Sequence, residues 1–254
     1  LEFNIVGYPI ANKIYFMRIK LFWLFFVLTG PVLVAQDIKE YKGKITQQYS
    51  LNASTVIINE QNRKPLSLAQ YDRLNKDSPG TYRLVPQFNR FGKVDHFLMV
   101  NRKGEAGSFI LFEEDLMPEV GEELPAFEML GLDGKVYKSE SLRGQYILLG
   151  FWVRFEKPLY TLASTRVISD FIGEQARKGV HVVSLGTTLN TREECLKAIP
   201  KRNCGFVPVP QSYGFNHRYH IGETPYFILI DKHGKVLARA AHTEFEKIAE
   251  VKLK

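Results

Sequence analysis

Two short apolar runs separated by a helix-length stretch constrain this chain more than any other feature. Tyr146–Trp152 reads YILLGFW and Val180–Gly186 reads VHVVSLG. Near-continuous apolar runs of this length are the pattern of strands covered on both faces. Between them, from Pro158 to Lys178, apolar residues fall at Leu159, Leu162, Ala163, Val167, Ile168, Phe171 and Ile172, and Gly179 ends the segment. That spacing is helical. Strand, crossover helix and strand make a βαβ unit, whose strands should be parallel with a right-handed connection. The 254 residues leave room for one or two domains.

The flanking segments extend this unit. PAFEMLGL (Pro125–Leu132) reads as a strand, and Asp133-Gly134 as a hairpin turn into KVYKSE. TREECLKAIPKRN is a short helix stopped at Pro200. PYFILID (Pro225–Asp231), the turn Lys232-His233-Gly234 and KVLARAA form an antiparallel hairpin. TEFEKIAEVKLK reads as a closing helix, with Thr243 as N-cap and Phe245, Ile248, Ala249 and Leu253 facing inward. The order β-β-β-α-β-α-β-β-α predicts an α/β fold, a mixed sheet flanked by helices.

Ahead of it, residues 36–117 read as a small α+β unit without recognisable chemistry. Its strands are Ser54–Glu60, Thr81–Phe88 and Val94–Val100, with a turn at Asn89–Lys93. Ser67 and Gln70 form a capping box opening SLAQYDRLNKD. The polar stretch Asn101–Ser108 and the acidic Glu113–Asp115 serve as its exit. The second domain spans 118–254.

Residues 1–35 read differently. From Met17, Arg18 and Lys20 supply a positive start, Leu21–Leu28 an unbroken apolar run, and Leu33-Val34-Ala35 a small-residue end. This is the pattern of a secretory signal peptide cleaved after Ala35, and the run is short of the ~20 residues a membrane span needs. The residues before Met17 read as an upstream extension outside the fold. The expectation is a periplasmic or secreted protein with no stable membrane anchor after cleavage. The formal charge of +7 comes without a dense basic run, so it points to no nucleic-acid partner.

Five landmarks then carry a family resemblance. VGEELPAFEMLGLDGKVYKSESLRGQYILLGFW has a Gly…Pro-x-Phe strand, an Asp-Gly hairpin, Leu-x-Gly and an apolar strand ending Phe151-Trp152. Thr224-Pro225 and FILIDKHGKVLAR follow in order. Residues of about 119–254 resemble the thioredoxin-fold redoxins, specifically the TlpA/ResA-like thiol–disulfide oxidoreductases. The resemblance implies a thioredoxin-like sheet, a loop after Trp152 carrying the active site, and a cis-proline at Pro225 beside it. It also implies a surface that receives extended polypeptide. The family loop reads Phe-Trp-x-x-Trp-Cys-x-x-Cys, whereas this chain reads FWVRFEKPL. Glu156 stands at the first cysteine's place and Leu159 at the second's, with Lys157 and Pro158 between. Dithiol exchange needs a thiolate stabilised at a helix start and a second thiol to resolve the mixed disulfide. Glutamate suits the helix dipole but cannot exchange. Peroxidase and copper-chaperone versions of the fold need cysteines in this same loop, and 153–165 contains none.

The chain's two cysteines, Cys195 and Cys204, lie nine positions apart across Pro200. That separation allows a structural bridge, which is the favoured expectation, or a relocated redox pair. Two cysteines are too few for an all-cysteine metal site. His217 and His220, at i and i+3, lack a third ligand at recognisable spacing, so no metal or other cofactor is expected. Glu156 is expected to cap the helix, and Arg154 and Lys157 to be solvated. Phe151, Trp152, Phe155, Tyr160 and Tyr226 either leave an apolar patch around the degenerate loop or fill the core.

Two functions are consistent with these residues. The first is an exported, non-catalytic thioredoxin-like module that binds a polypeptide or envelope protein through Trp152, Phe155, Glu156, Pro158, Thr224, Pro225 and Tyr226. The second is a thiol–disulfide oxidoreductase working through Cys195 and Cys204. A third possibility places the function in residues 36–112, with the larger domain as scaffold.

Overall fold

A computed structural model describes residues 2–6, 46–101, 112–156, 160, 162–199 and 204–254. The signal-peptide pattern, the exit stretch after Asn101, Lys157, Pro158, Leu159 and the helix stop at Pro200 lie outside the described residues. Strands β1 (Glu2–Val6) and β2 (Thr46–Ser50) pair antiparallel, so residues ahead of Met17 take part in a ladder.

The small unit follows as β3 (Ile57–Asn59), β4 (Pro65–Leu66), α1 (Leu68–Asp77), β5 (Tyr82–Phe88) and β6 (Val94–Asn101). Its sheet runs β4-β3-β6-β5. The capping box at the start of α1 forms as expected. Gln70 donates its backbone N–H to Ser67 Oγ at 3.2 Å, and Ser67 donates its own to Gln70 Oε1 at 2.8 Å. Tyr71 of α1 is buried against Ile57, Leu84, Phe97 and Met99, which gives this unit its own core.

The larger unit begins with β7 (Glu128–Leu130) and β8 (Val136–Lys138), which pair with each other and form a separate two-stranded sheet. Then come β9 (Tyr146–Phe151), α2 (Leu162–Arg177), β10 (Val182–Thr187), α3 (Arg192–Ala198), β11 (Val207–Val209), α4 (Gly214–Arg218), β12 (Tyr226–Ile230), β13 (Val236–Ala241) and α5 (Glu246–Ala249). The main sheet is ordered β11-β10-β9-β12-β13. Strands β9, β10 and β11 are parallel, while β12 and β13 run antiparallel to their neighbours. The predicted βαβ unit and terminal hairpin are both present.

Period-two alternation divides the β9 side chains between two cores. Tyr146 and Leu148 face one side with Ile168 and Phe171 of α2 and with Phe245 and Ile248. Ile147, Leu149 and Phe151 face the other, with Phe127, Met129, Phe215 and Tyr219. Every residue of β9 is buried, as its unbroken apolar run requires.

Three expectations are corrected. Strand β11 and helix α4 were not anticipated. Pro208 interrupts the apolar pattern of Val207–Val209, and it is tolerated because β11 is an edge strand. The closing segment is not one long helix and Thr243 is not its cap. A 3-10 turn at His242–Glu244 leads through Phe245 into one short turn, α5, which has no side-chain cap, and Ala249 is exposed. Beyond it Val251 and Leu253 pack inward with Lys252 and Lys254 outward, an alternation incompatible with helical spacing. The Tyr146 hydroxyl fastens this end, donating to Lys254 O at 3.0 Å and accepting from Lys254 N–H at 3.1 Å. The third correction concerns the cysteines and belongs to the site.

Candidate functional site

The ladder between β9 and β10 continues past both strands. Trp152 donates its N–H to Thr187 O at 3.1 Å, and Leu189 donates to Val153 O at 2.9 Å. The chain therefore leaves β9 held flat against the segment that follows β10. Trp152 folds back over the sheet, stacked on Phe206 at 4.7 Å and edge-on to Phe155 and Phe227, both at 5.5 Å. It is only 1% exposed. Gly150 and Gly186 make this possible: a Cβ on Gly150 would meet the indole, and one on Gly186 would lie 2.5 Å from the Phe206 ring.

Beyond Trp152 the loop is tied by side chains. Asn190 Oδ1 accepts the Phe155 N–H at 2.6 Å and the Thr188 hydroxyl at 2.9 Å. Its amide nitrogen donates to Glu156 Oε1 at 3.4 Å and to Glu194 Oε2 at 3.5 Å. Arg154 Nη1 bridges the same two carboxylates, at 3.2 Å to Glu156 and 3.4 Å to Glu194. Glu194 is also the return arm of the Thr191 capping box that starts α3, accepting the Thr191 N–H at 2.8 Å. That amide, opposed by partial desolvation and aided by Arg154, holds the Glu194 carboxyl below the usual carboxylate range. Although burial opposes it, pairing with Glu156 and Glu194 leaves the Arg154 guanidinium more firmly charged than usual.

These bonds place the expected residues as follows. The Glu156 carboxylate engages Arg154 and Asn190, and its carbonyl accepts the Tyr160 N–H at 2.8 Å. Arg154, its side chain 43% exposed, is solvated as expected and also pairs with both carboxylates. Trp152, Phe155, Phe151 and Tyr160 are buried in the core, so they form no exposed aromatic patch. The Thr224–Pro225 bond is cis; Thr224 is buried, and Pro225 and Tyr226 are half-buried. Tyr226 pairs with Phe151 across the sheet, so Pro225 lies level with Trp152 where the loop departs. Trp152, Phe155, Glu156 and the Pro225 edge therefore share one end of the sheet, while Pro158 and Leu159 lie outside the described residues.

Cys195 and Cys204 are free, and the expected bridge is not formed. Cys204 Sγ is directed to Phe206 O at 3.0 Å and Cys195 Sγ toward Asn190 O at 4.0 Å. Both lie in the core that holds Trp152 and Tyr160. Desolvation, with Glu194 adding to it, pushes the Cys195 thiol up to about 11, and burial raises Cys204 as well. Thiols held protonated in this way are poor nucleophiles.

Among the described residues no cluster of three ligand side chains, with His217 and His220 or elsewhere, could hold a metal. His217 is instead packed between the small unit and the larger one. Its ring stacks on Phe88 at 5.1 Å and on Phe112 at 4.8 Å. Among the described residues neither ring nitrogen has a hydrogen-bond partner. Burial, with His220 adding to it, pulls its pKa down to about 3. His220 Nδ1 accepts the Glu113 N–H at 3.3 Å. The Thr191-x-x-Glu194 capping box was open to sequence reading, but nothing in the sequence links Phe88 to His217.

Comparison with known proteins finds the following similarities. A family described as thioredoxin-like matches residues 144–236. The thiol–disulfide oxidoreductase ResA of Bacillus cereus is 28% identical over 123 residues, covering 48% of this chain and 69% of ResA. A thiol–disulfide oxidoreductase from Bacteroides fragilis is 25% identical with a TM-score of 0.42, covering 51% of this chain and 98% of that one. The thioredoxin domain of a Bacteroides vulgatus thiol–disulfide oxidoreductase is 21% identical with a TM-score of 0.43, covering 52% and 99%. Residues 144–236 are thus thioredoxin-like, and over about half of its length the chain is similar to thiol–disulfide oxidoreductases.

Proposed function

We propose that this is an exported thioredoxin-like module that binds an extended polypeptide or envelope partner at the Pro225 edge and performs no dithiol exchange there. One observation carries the proposal: residues 153–165 contain no cysteine, and the Glu156 carboxylate is committed to Arg154 and Asn190. Residues 153–165 contain no sulfur to attack a disulfide, and the described part of the loop, 152–156, is held by Asn190 and Arg154 without one. Strand-like docking against a sheet end uses backbone groups, so it survives the loss of thiols. Export rests on the charged start, apolar run and Ala35 end of residues 17–35.

The test pairs chemistry with binding. The full chain is assayed for insulin reduction with dithiothreitol and, separately, for capture of partners from envelope extract with and without reductant. The expected result is background reduction, identical in Cys195→Ser, with capture that is insensitive to reductant and weakened by Tyr226→Ala. Reduction above background that disappears in Cys195→Ser would overturn the proposal in favour of the Cys195/Cys204 oxidoreductase.

A further inference from the structure

Between β11 and β12 the chain passes through α4 and then through irregular backbone to Thr224-Pro225. Helix α4 is five residues long and has no side-chain cap. A turn of that length does not hold itself, so what packs against it sets its place.

Two surfaces do so. Phe215, Tyr219 and Ile221 face the larger unit, in the core that contains Phe151 and takes in Tyr226. The other side of the segment meets the small unit. At Gly214 the two backbones come together: a Cβ there would collide with Gly92 O in the β5–β6 turn, and a Cβ on Gly92 would lie 2.8 Å from the Phe215 ring. Glycine at both positions permits this approach. His217 then sits between the Phe88 and Phe112 rings, and Arg218 donates to Phe88 O.

The contacts continue past the helix toward the proline. His220 has φ +55, a left-handed conformation uncommon for a residue with a side chain, and such backbone persists where its surroundings hold it. Its Nδ1 accepts the Glu113 N–H at 3.3 Å, and the Ile221 N–H is bonded to Asn216 O at 2.7 Å. Phe112 covers Gly222, two residues ahead of Thr224; a Cβ on that glycine would lie 3.2 Å from Phe112 Cβ. The β5–β6 turn is itself anchored on the larger unit. Arg90 O accepts the Glu128 N–H at 2.8 Å, and the Arg90 guanidinium donates to Glu140 at 2.8 Å.

We infer that the small unit braces the partner surface: Phe88, Gly92 and Phe112 are positioning residues that act through α4 and Gly222 on Thr224, Pro225 and Tyr226. The β5–β6 turn and the exit segment hold one side of this route while the core of the larger unit holds the other. The edge offered to a polypeptide thereby keeps one shape. This rests on the proposed binding role of the Pro225 edge and adds to it the part played by the small unit.

The test follows amide hydrogen exchange in the full chain, wild type against Phe88→Ala and, separately, Phe112→Ala. The bonded Tyr219 and Ile221 amides should exchange at least tenfold faster in both variants, while those of β9 and α1 keep their wild-type rates. Phe88→Tyr, which keeps the ring, should exchange as wild type does. Acceleration shared equally by β9, α1 and α4 would reduce these residues to general stability and overturn the inference. Unchanged Tyr219 and Ile221 amides would overturn it as well. Binding is read on the proteins that the wild-type chain captures from envelope extract. Phe88→Ala should retain less than about a fifth of them, and Phe88→Tyr all. Capture weakened by Tyr226→Ala but not by Phe88→Ala would overturn the brace and leave the polypeptide-binding role standing. Capture unaffected by either variant would overturn the binding role itself.

Discussion

The loop after β9 and helix α4 both stand at the carboxyl ends of the parallel strands, and they carry their polar groups in opposite ways. In the loop, the Arg154 and Glu156 side chains are 43% and 57% exposed and pair with each other in solvent. Such pairs contribute at most about 1 kcal/mol. The buried anchor there is neutral: Asn190, bonded to Phe155, Thr188 and Glu156. On α4, His217 is enclosed by aromatic rings and has no polar partner among the described residues. Burial without partners disfavours the charged form and moves protonation by several units. The loop is thus insensitive to charge and sensitive to packing, whereas the seam between the units is sensitive to a proton.

The largest test of this contrast is Trp152→Ala. Removing the indole that seats the loop on Gly150, Gly186 and Phe206 should cost about 3–5 kcal/mol. It should read as a lower urea midpoint at unchanged slope. A loss below about 1 kcal/mol would show that the loop is held by its polar bonds alone.

Acidification tests the seam. In the unfolded chain the His217 imidazole takes a proton near its ordinary 6.5, whereas in the folded protein it stays neutral down to about 3. The unfolded state therefore binds more protons as pH falls through this window. Stability should decline by about 1.4 kcal/mol per pH unit, or about 2 kcal/mol between pH 6.5 and 5. Burial lowers the His220 pKa too, so it acts in the same direction. His217→Phe should flatten the urea-midpoint profile between pH 5 and 7, and an unchanged slope would assign the effect to another group.

A smaller effect is expected for Asn190→Ala, which strips the buried Phe155 N–H and the Thr188 hydroxyl of their acceptor. About 1–2 kcal/mol should be lost, with faster amide exchange at Phe155. Glu156→Gln should change stability least, by less than about 1 kcal/mol, because the pair is solvated and Asn190 still holds the backbone. A loss as large as that of Trp152→Ala would reverse the comparison.

Much of the frame was legible in the sequence because it depends on local patterns. The βαβ unit follows from Tyr146–Trp152, Val180–Gly186 and the helical spacing between them, and the Ser67/Gln70 capping box from four consecutive positions. Strand β11 escaped because three residues containing Pro208 carry too little periodicity. The closing helix was over-read, since Phe245 and Ile248 satisfy helical spacing only until Val251 and Leu253 begin to alternate. In the site, the absence of cysteine from residues 153–165 and the presence of Glu156 were plain. Its bonding to Arg154, Asn190 and Glu194 was not, because Asn190 lies 34 positions from Glu156.

By itself, then, the sequence determined the class of fold, the sheet end that bears the loop, and the absence of sulfur from that loop. These follow from residue types and spacings within single elements. Only the tertiary structure decided that Trp152 and Phe155 belong to the core, that Cys195 and Cys204 remain apart, and that His217 is enclosed between Phe88 and Phe112. Each of these depends on which distant surfaces bury one another. A local pattern can state how much apolar surface an element must hide, but not which partner hides it.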